Sequence, residues 1–162
     1  RGVRGVRPDW VRPAFRDPRT AALSADSLRC AGAPFGTFVL PDCDWVALFD
    51  LDRADLPNLR VERGERLCRE VSAALQGELG DRVVAWAPHR WLVPWTGDDA
   101  RGRLEAARTA LSRRSDLAPD LARVTLSAGL TRVEPDRANV FPRVELALSD
   151  AIEAGRDQLA LR

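Results

Sequence analysis

The sequence predicts an α+β domain: a central, mostly antiparallel sheet flanked by helices. Three observations predict it. Trp45-Val-Ala-Leu-Phe is almost continuously apolar, as a central strand covered on both faces must be. Three longer segments carry apolar residues at helical spacing. Between them lie short β-rich runs, giving the order strand, helix, strand hairpin, helix, strand, helix, strand.

The elements follow in order. Residues 1–19 are rich in Arg, Gly and Pro and read as a linker, with the domain proper beginning at residue 17 after an extension over 1–16. Ser24 to Ala31 has the composition of a short helix with Ser24 as N-cap. Thr37 to Leu40 and Trp45 to Leu51 are β-rich and separated by Pro41-Asp-Cys-Asp44, which predicts a hairpin. Glu62 to Leu79 places Leu67, Val71, Ala74, Leu75 and Leu79 on one helical face. Asp81 to Ala87 and Trp91 to Trp95 read as strands joined at Pro88-His89. Asp98 to Ser115 is a second amphipathic helix, announced by Gly97-Asp98-Asp99. Val124 to Leu130 is a strand, Val140 to Ala154 a third helix closed by Gly155, and Gln158 to Leu161 a last short strand.

Composition narrows the chemistry. Of 162 residues, 45% are hydrophobic and 30% charged, enough apolar material for one core. Lys plus Arg number 25 against 24 acids, a balance that argues against nucleic acid or an anionic membrane as partner. No run approaches the length of a membrane helix and no signal-peptide pattern opens the chain. The chain starts without Met, which points to a fragment of a longer protein. Every basic residue is Arg, and Tyr is absent, so no step can use a Lys ammonium or a Tyr phenol. Cys30, Cys43 and Cys68 are widely spaced and odd in number, which argues against a zinc site or a disulfide framework and for reduced thiols of a cytoplasmic protein.

From Asp17 to about Leu161 the chain resembles the GGDEF family of diguanylate cyclases. Asp17-Pro-Arg-Thr-Ala-Ala-Leu is similar to the family's opening turn. Val46-Ala-Leu-Phe-Asp-Leu-Asp resembles its first strand, ending in D-x-D at Asp50 and Asp52. Asn58 stands eight positions after Asp50, as the family's guanine-contacting Asn does. Gly64-Glu65 resembles the G-D that begins the long helix, Val124-Thr-Leu-Ser-Ala-Gly-Leu the V-T-x-S-x-G-V strand, and Ala154-Gly-Arg-Asp the closing x-G-R-N.

The signature is replaced. Where the family reads G-G-D-E-F, the chain reads Ala87-Pro88-His89-Arg90-Trp91. The resemblance implies a reaction in which two divalent metals align a 3′-hydroxyl with an α-phosphate, held by the first Asp of D-x-D and a signature carboxylate. Asp50 matches the first ligand, but His89 and Arg90 stand where the carboxylates belong. Arg does not ligate a hard cation, and a lone imidazole is a poor Mg²⁺ ligand. Asp50 and Asp52 leave room for one weakly held metal, Mg²⁺ among the candidates; no cofactor is expected. Ile152 replaces the phosphate-binding Lys, Arg156 keeps the matching Arg, Glu65 substitutes for the guanine-reading Asp, and Leu59 for the Asp of the N-D pair. The product-inhibition motif keeps Asp81 but has Glu78 in place of its Arg.

Each candidate has a plainer alternative. Asp50 is either a residual metal ligand or a strand-end carboxylate paired with Arg90 or Arg53, and its cationic neighbours favour the second. Asn58, Glu65 and Arg156, with Asp50, are either a residual guanine-nucleotide pocket or inherited loop and cap residues. His89 and Arg90 are either an anion-binding pair or an ordinary exposed turn. His89 is the only His, so a Ser–His or Cys–His catalytic pair would have to use it, and nothing nearby in the sequence supports one. Trp86, Trp91 and Trp95 cluster on the hairpin, Trp91 and Trp95 on one face with Val93 between them, for core packing or cross-strand aromatic pairing or for a partner or dimer surface, the former favoured.

Three functions follow as expectations. The leading one is a catalytically inactive GGDEF-like domain that regulates or binds a protein, or a second copy of itself, in bacterial signalling. The second is a sensor of GTP or a cyclic dinucleotide. The third is an active diguanylate cyclase with altered metal chemistry, which predicts a divalent ion at Asp50 and Asp52.

Overall fold

The computed structural model of the chain describes residues 23–24, 40–52, 61–117, 123–135, 137 and 139–162. Its elements are β1 (Leu23–Ser24), β2 (Trp45–Leu51), α1 (Val61–Leu79), a 3₁₀ turn (Gly80–Arg82), β3 (Val84–Ala87), β4 (Arg90–Trp95), α2 (Ala100–Ser112), β5 (Leu126–Arg132), α3 (Val140–Glu153) and β6 (Leu159–Leu161). They build the predicted α+β fold. The strands form one sheet in the order β1-β3-β4-β2-β5-β6. The three inner pairings are antiparallel, and the two outer ones, β1 with β3 and β5 with β6, are parallel.

Strand β2 lies at the centre because its sequence has no polar side before Asp50. Its odd residues, Ala47, Phe49 and Leu51, join Trp91, Val93 and Trp95 beneath α1 and α2. Its even residues, Val46 and Leu48, join Leu92 and Val84 beneath α3. Alternation along a strand sends successive side chains to opposite faces, so helices on both sides demand apolar residues at every position. Trp91 and Trp95 are thus core residues, as their spacing with Val93 indicated. Trp86 belongs to the opposite face, where it stacks on Phe141 with ring centroids 5.1 Å apart.

Helix α3 lies tight against β5 at Gly129. A Cβ on Gly129 would stand 2.3 Å from the Leu148 backbone nitrogen and 2.5 Å from the Val144 carbonyl oxygen, so only glycine lets helix and sheet meet there. At the other end of α3, the predicted Gly155 stop is a Schellman motif. Gly155 has φ +118°, its N–H donates to the Ile152 carbonyl at 3.2 Å, and Arg156 N–H donates to the Ala151 carbonyl at 3.0 Å.

Several expectations are corrected. Trp45–Leu51 does not pair with the segment before it: both edges of β2 are taken, by β4 and β5, and Leu40 lies outside any strand. Residues 37–39 lie outside the described residues, as do 1–22, 25–31 and Asp17. Ser24, read as a helix cap, ends β1 with its backbone opposite Ala85. Asp81 and Arg82 belong to the 3₁₀ turn after α1, so β3 starts at Val84. Helix α2 starts at Ala100, two residues later than read. Asp99 does stand at its N-cap, but its carboxylate accepts the Trp95 indole N–H at 2.9 Å rather than a helix N–H, while Gly97 N–H donates to Asp44. Strand β5 begins at Leu126, although Asp52 N–H still donates to the Thr125 carbonyl at 3.0 Å. Among the described residues no helix is long and apolar enough to cross a membrane.

Candidate functional site

The residues that stand in the signature positions occupy the tight turn between β3 and β4. Ala87 pairs with Arg90 across it, and a bulge separates Ala85 from Ala87. Pro88 and His89 are the two turn residues, and His89 has φ +65°. A proline followed by a left-handed residue is the pattern of a type II turn. Histidine is one of the few side chains enriched in that conformation, after Asn and Asp. The backbone holds it there, with Leu51 N–H donating to the His89 carbonyl at 3.0 Å.

Arg90 stands opposite Asp50 in the β2–β4 register. Its Nε donates to Asp50 Oδ1 at 3.4 Å, and the Asp50 residue is 8% exposed. A half-buried guanidinium therefore faces the carboxylate that the family resemblance would assign to a metal. Position 53, the other cation considered for Asp50, lies outside the described residues.

Asp52 turns away to a different task. Oδ1 accepts the Ser127 hydroxyl at 2.7 Å, and Oδ2 accepts the Thr125 hydroxyl at 2.7 Å and the Asp157 N–H at 3.1 Å. These three bonds tie the end of β2 to β5 and to the turn after α3. That turn is unusual in having Gly155, Arg156 and Asp157 all at positive φ. Asp157 in turn accepts from Arg108 and, at 3.0 Å, from Arg123. Arg108 is a buried cation on α2, also held by Glu105 at 2.7 Å and 2.8 Å; the Glu105 hydrogen bond, against the cost of burial, raises its pKa above the usual value. An unpaired guanidinium in that position would be costly, and two carboxylates satisfy it.

This donor set fits a pair of divalent cations poorly. Both Asp52 oxygens accept hydrogen bonds, Asp50 faces Arg90, and no cluster of three His, Cys, Asp or Glu residues is arranged to hold a metal among the described residues. Ile152, which the resemblance aligns with the family's phosphate-binding Lys, packs against the apolar cluster under α3. Glu65, in the first half of α1, and Arg156, at φ +66°, are both exposed. Asn58 lies outside the described residues.

Sequence reasoning missed one contact. Cys68 on α1 lies with its Sγ 2.8 Å from His89 Nδ1. The two are 21 residues apart, and their meeting depends on the left-handed turn, which carries the imidazole away from the Asp50–Arg90 side of the sheet and toward α1. One turn further along the same helix face, the Ser72 hydroxyl accepts the buried Trp91 indole N–H at 3.1 Å, so α1 is fixed over this part of β4. A signal was present in the periodicity: Cys68 precedes Ser72 by four residues and follows Leu67 on the inner side of the helix.

No protein-family model matches the chain, nor does any curated protein. Solved structures do. The GGDEF domain of DgcB from Caulobacter crescentus, in complex with c-di-GMP, is 18% identical with a TM-score of 0.69, over 93% of this chain and 97% of that one. The diguanylate cyclase SiaD from Pseudomonas aeruginosa, in complex with its activator SiaC, is 22% identical with a TM-score of 0.72; the match spans 93% of this chain but only 62% of SiaD. The FimX GGDEF domain from Pseudomonas aeruginosa is 14% identical with a TM-score of 0.69, over 91% and 99% of the two chains. With the strand order, the helices on both faces and the hairpin already described, these likenesses establish that the chain has the fold of GGDEF domains.

Proposed function

We propose that the chain, as one domain over residues 17–162 following a linker over 1–16, is a GGDEF-fold module without cyclase activity that regulates or binds a partner protein in cytoplasmic bacterial signalling. The observation that carries this reading is the Arg90–Asp50 pair. Two-metal phosphoryl transfer requires carboxylates that converge on cations, and here a fixed positive charge meets the carboxylate instead. The commitment of Asp52 to three hydrogen bonds supports the same reading, as does the apolar setting of Ile152. SiaD, a structural neighbour, is in complex with an activator protein, which makes protein binding a use to which this fold is put.

The direct test is incubation of the purified chain with GTP and Mg²⁺ or Mn²⁺, followed by chromatography for a cyclic dinucleotide. No product is expected. Product that disappears in Asp50→Asn would establish an active cyclase with altered metal chemistry and end this reading.

A second reading rests on the exposure of Glu65 and Arg156. A carboxylate able to read a guanine edge and a guanidinium able to neutralise phosphate suit a sensor of GTP or a cyclic dinucleotide, completed by Asn58. Titration calorimetry with GTP and c-di-GMP decides it: heat lost in Arg156→Ala supports the sensor, and no heat at high micromolar ligand removes it.

A further inference from the structure

The pair formed by Cys68 and His89 is not used by either function above. Its geometry is that of a nucleophile beside a base. Sγ and Nδ1 are 2.8 Å apart, and a base within hydrogen-bond reach is what turns a weak nucleophile into a reactive one. For cysteine the attacking species is the thiolate, and a neighbouring imidazole stabilises it by taking the proton. The imidazole is positioned by the backbone, through the left-handed turn and the Leu51 N–H that holds the His89 carbonyl.

Two further facts make the pair distinctive in this chain. Cys68 is only half-buried, packed at the margin of the core under α1. Cys43 offers the contrast. Burial pushes its thiol up to about 11, which keeps it protonated and inert at neutral pH. Among the described cysteines, then, both are partly buried, but the Cys43 thiol is held protonated and the Cys68 thiol has a proton acceptor.

We propose that Cys68 and His89 form a thiol–imidazole pair at which the chain undergoes exchange with low-molecular-weight disulfides. The Cys68 thiol passes its proton to His89 Nδ1, and the thiolate attacks one sulfur of the small disulfide. The Cys68–sulfur bond forms as the S–S bond breaks, and the departing thiolate takes a proton back from the imidazolium. One disulfide is consumed, one mixed disulfide is made and one small thiol is released, so no further oxidant enters. Among the described residues, Glu65 and Arg69 lie beside Cys68 on α1, and the Arg90–Asp50 pair lies next to the turn on the other side of the sheet.

The test uses the full chain with oxidised glutathione at about pH 6.5, quenched with acid and mapped by peptide mass spectrometry, which separates Cys30, Cys43 and Cys68. A mixed disulfide on Cys68 is expected, forming about tenfold faster than in His89→Asn, with Cys43 unmodified. Asn accepts the left-handed backbone, so that variant keeps the turn, and Cys68→Ser must abolish the adduct. A second measurement needs no variant: iodoacetamide alkylation of Cys68 in the wild-type chain, followed from about pH 6 to about pH 9. A rate that levels off below about pH 7 is expected. An isolated thiol would instead show a rate rising about tenfold per pH unit to about pH 8 and levelling only near its ordinary pKa of about 8.5, and this result would overturn the proposal. So would His89→Asn reacting at the wild-type rate, or Cys43 reacting as fast as Cys68.

Discussion

At the scale of single residues, the two aspartates of the β2 terminus have parted ways. Asp50 faces a guanidinium, while Asp52 has become a fastening between β2, β5 and the turn after α3. Hydrogen bonds to a charged acceptor contribute about 1.5–3 kcal/mol each, and they are not additive when they share one acceptor. Asp52→Ala leaves the buried Ser127 hydroxyl without its acceptor and is expected to cost about 2–3 kcal/mol in urea denaturation. A cost near zero would mean that Asp52 does not fasten these segments. Cys43 gives a second residue-scale prediction. Its thiol ionises near 9.0 when ordinary and near 11 in the fold, mainly because of burial. The folded chain therefore keeps a proton that the unfolded chain has released, so stability is lost as pH rises from about 9 to about 11. The chain has no Lys and no Tyr, so thiols dominate the side-chain titration in that window. Cys43→Ser should flatten the alkaline decline in thermal stability, and an unchanged decline would contradict the assignment.

At the scale of elements, what could be read in advance was what period and punctuation encode. The β2 strand was legible residue for residue, because only a strand covered on both faces is apolar at every position. The ends of α1 and α3 were legible to within a residue or so, the latter because Gly155 is needed for a left-handed stop. Pairing was less legible. The run before Trp45 looked like its hairpin partner, yet β2 pairs with β4 and β5, which lie far along the chain; proximity in sequence says nothing about which strand wins a central position. The α3–β5 contact was invisible too, since a glycine inside a strand motif does not reveal the backbone pressed against it. Gly129→Ala places a carbon 2.3 Å from the Leu148 nitrogen. Because both partners are backbone, relief requires moving α3 bodily, and the expected cost is about 3 kcal/mol or more in chemical denaturation. A loss below about 1 kcal/mol would show that α3 rides more loosely on the sheet than the geometry states.

At the scale of the molecule, the chain has the fold of GGDEF domains, and its hairpin turn carries His89 and Arg90. The ordered landmarks from Asp50 through Gly155 were enough to indicate the architecture. The site was legible only in part. Arg90 opposite Asp50 follows from strand register once the fold is known, whereas the contact of Cys68 with His89 needs the left-handed turn at His89, which no sequence period encodes. The exposed positions of Glu65 and Arg156 leave the nucleotide question to binding data, while the Arg90–Asp50 pair addresses catalysis directly.

The proposal of a GGDEF fold in which Asp50 is paired with a cation rather than with metal is tested most directly by electron paramagnetic resonance of Mn²⁺ titrated into the chain with a non-hydrolysable GTP analogue. The expected spectrum is that of Mn²⁺ with the nucleotide alone, unchanged by protein and unchanged by Asp50→Asn. A protein-bound Mn²⁺ signal, and above all a coupled pair of ions, that vanishes in Asp50→Asn would contradict the account.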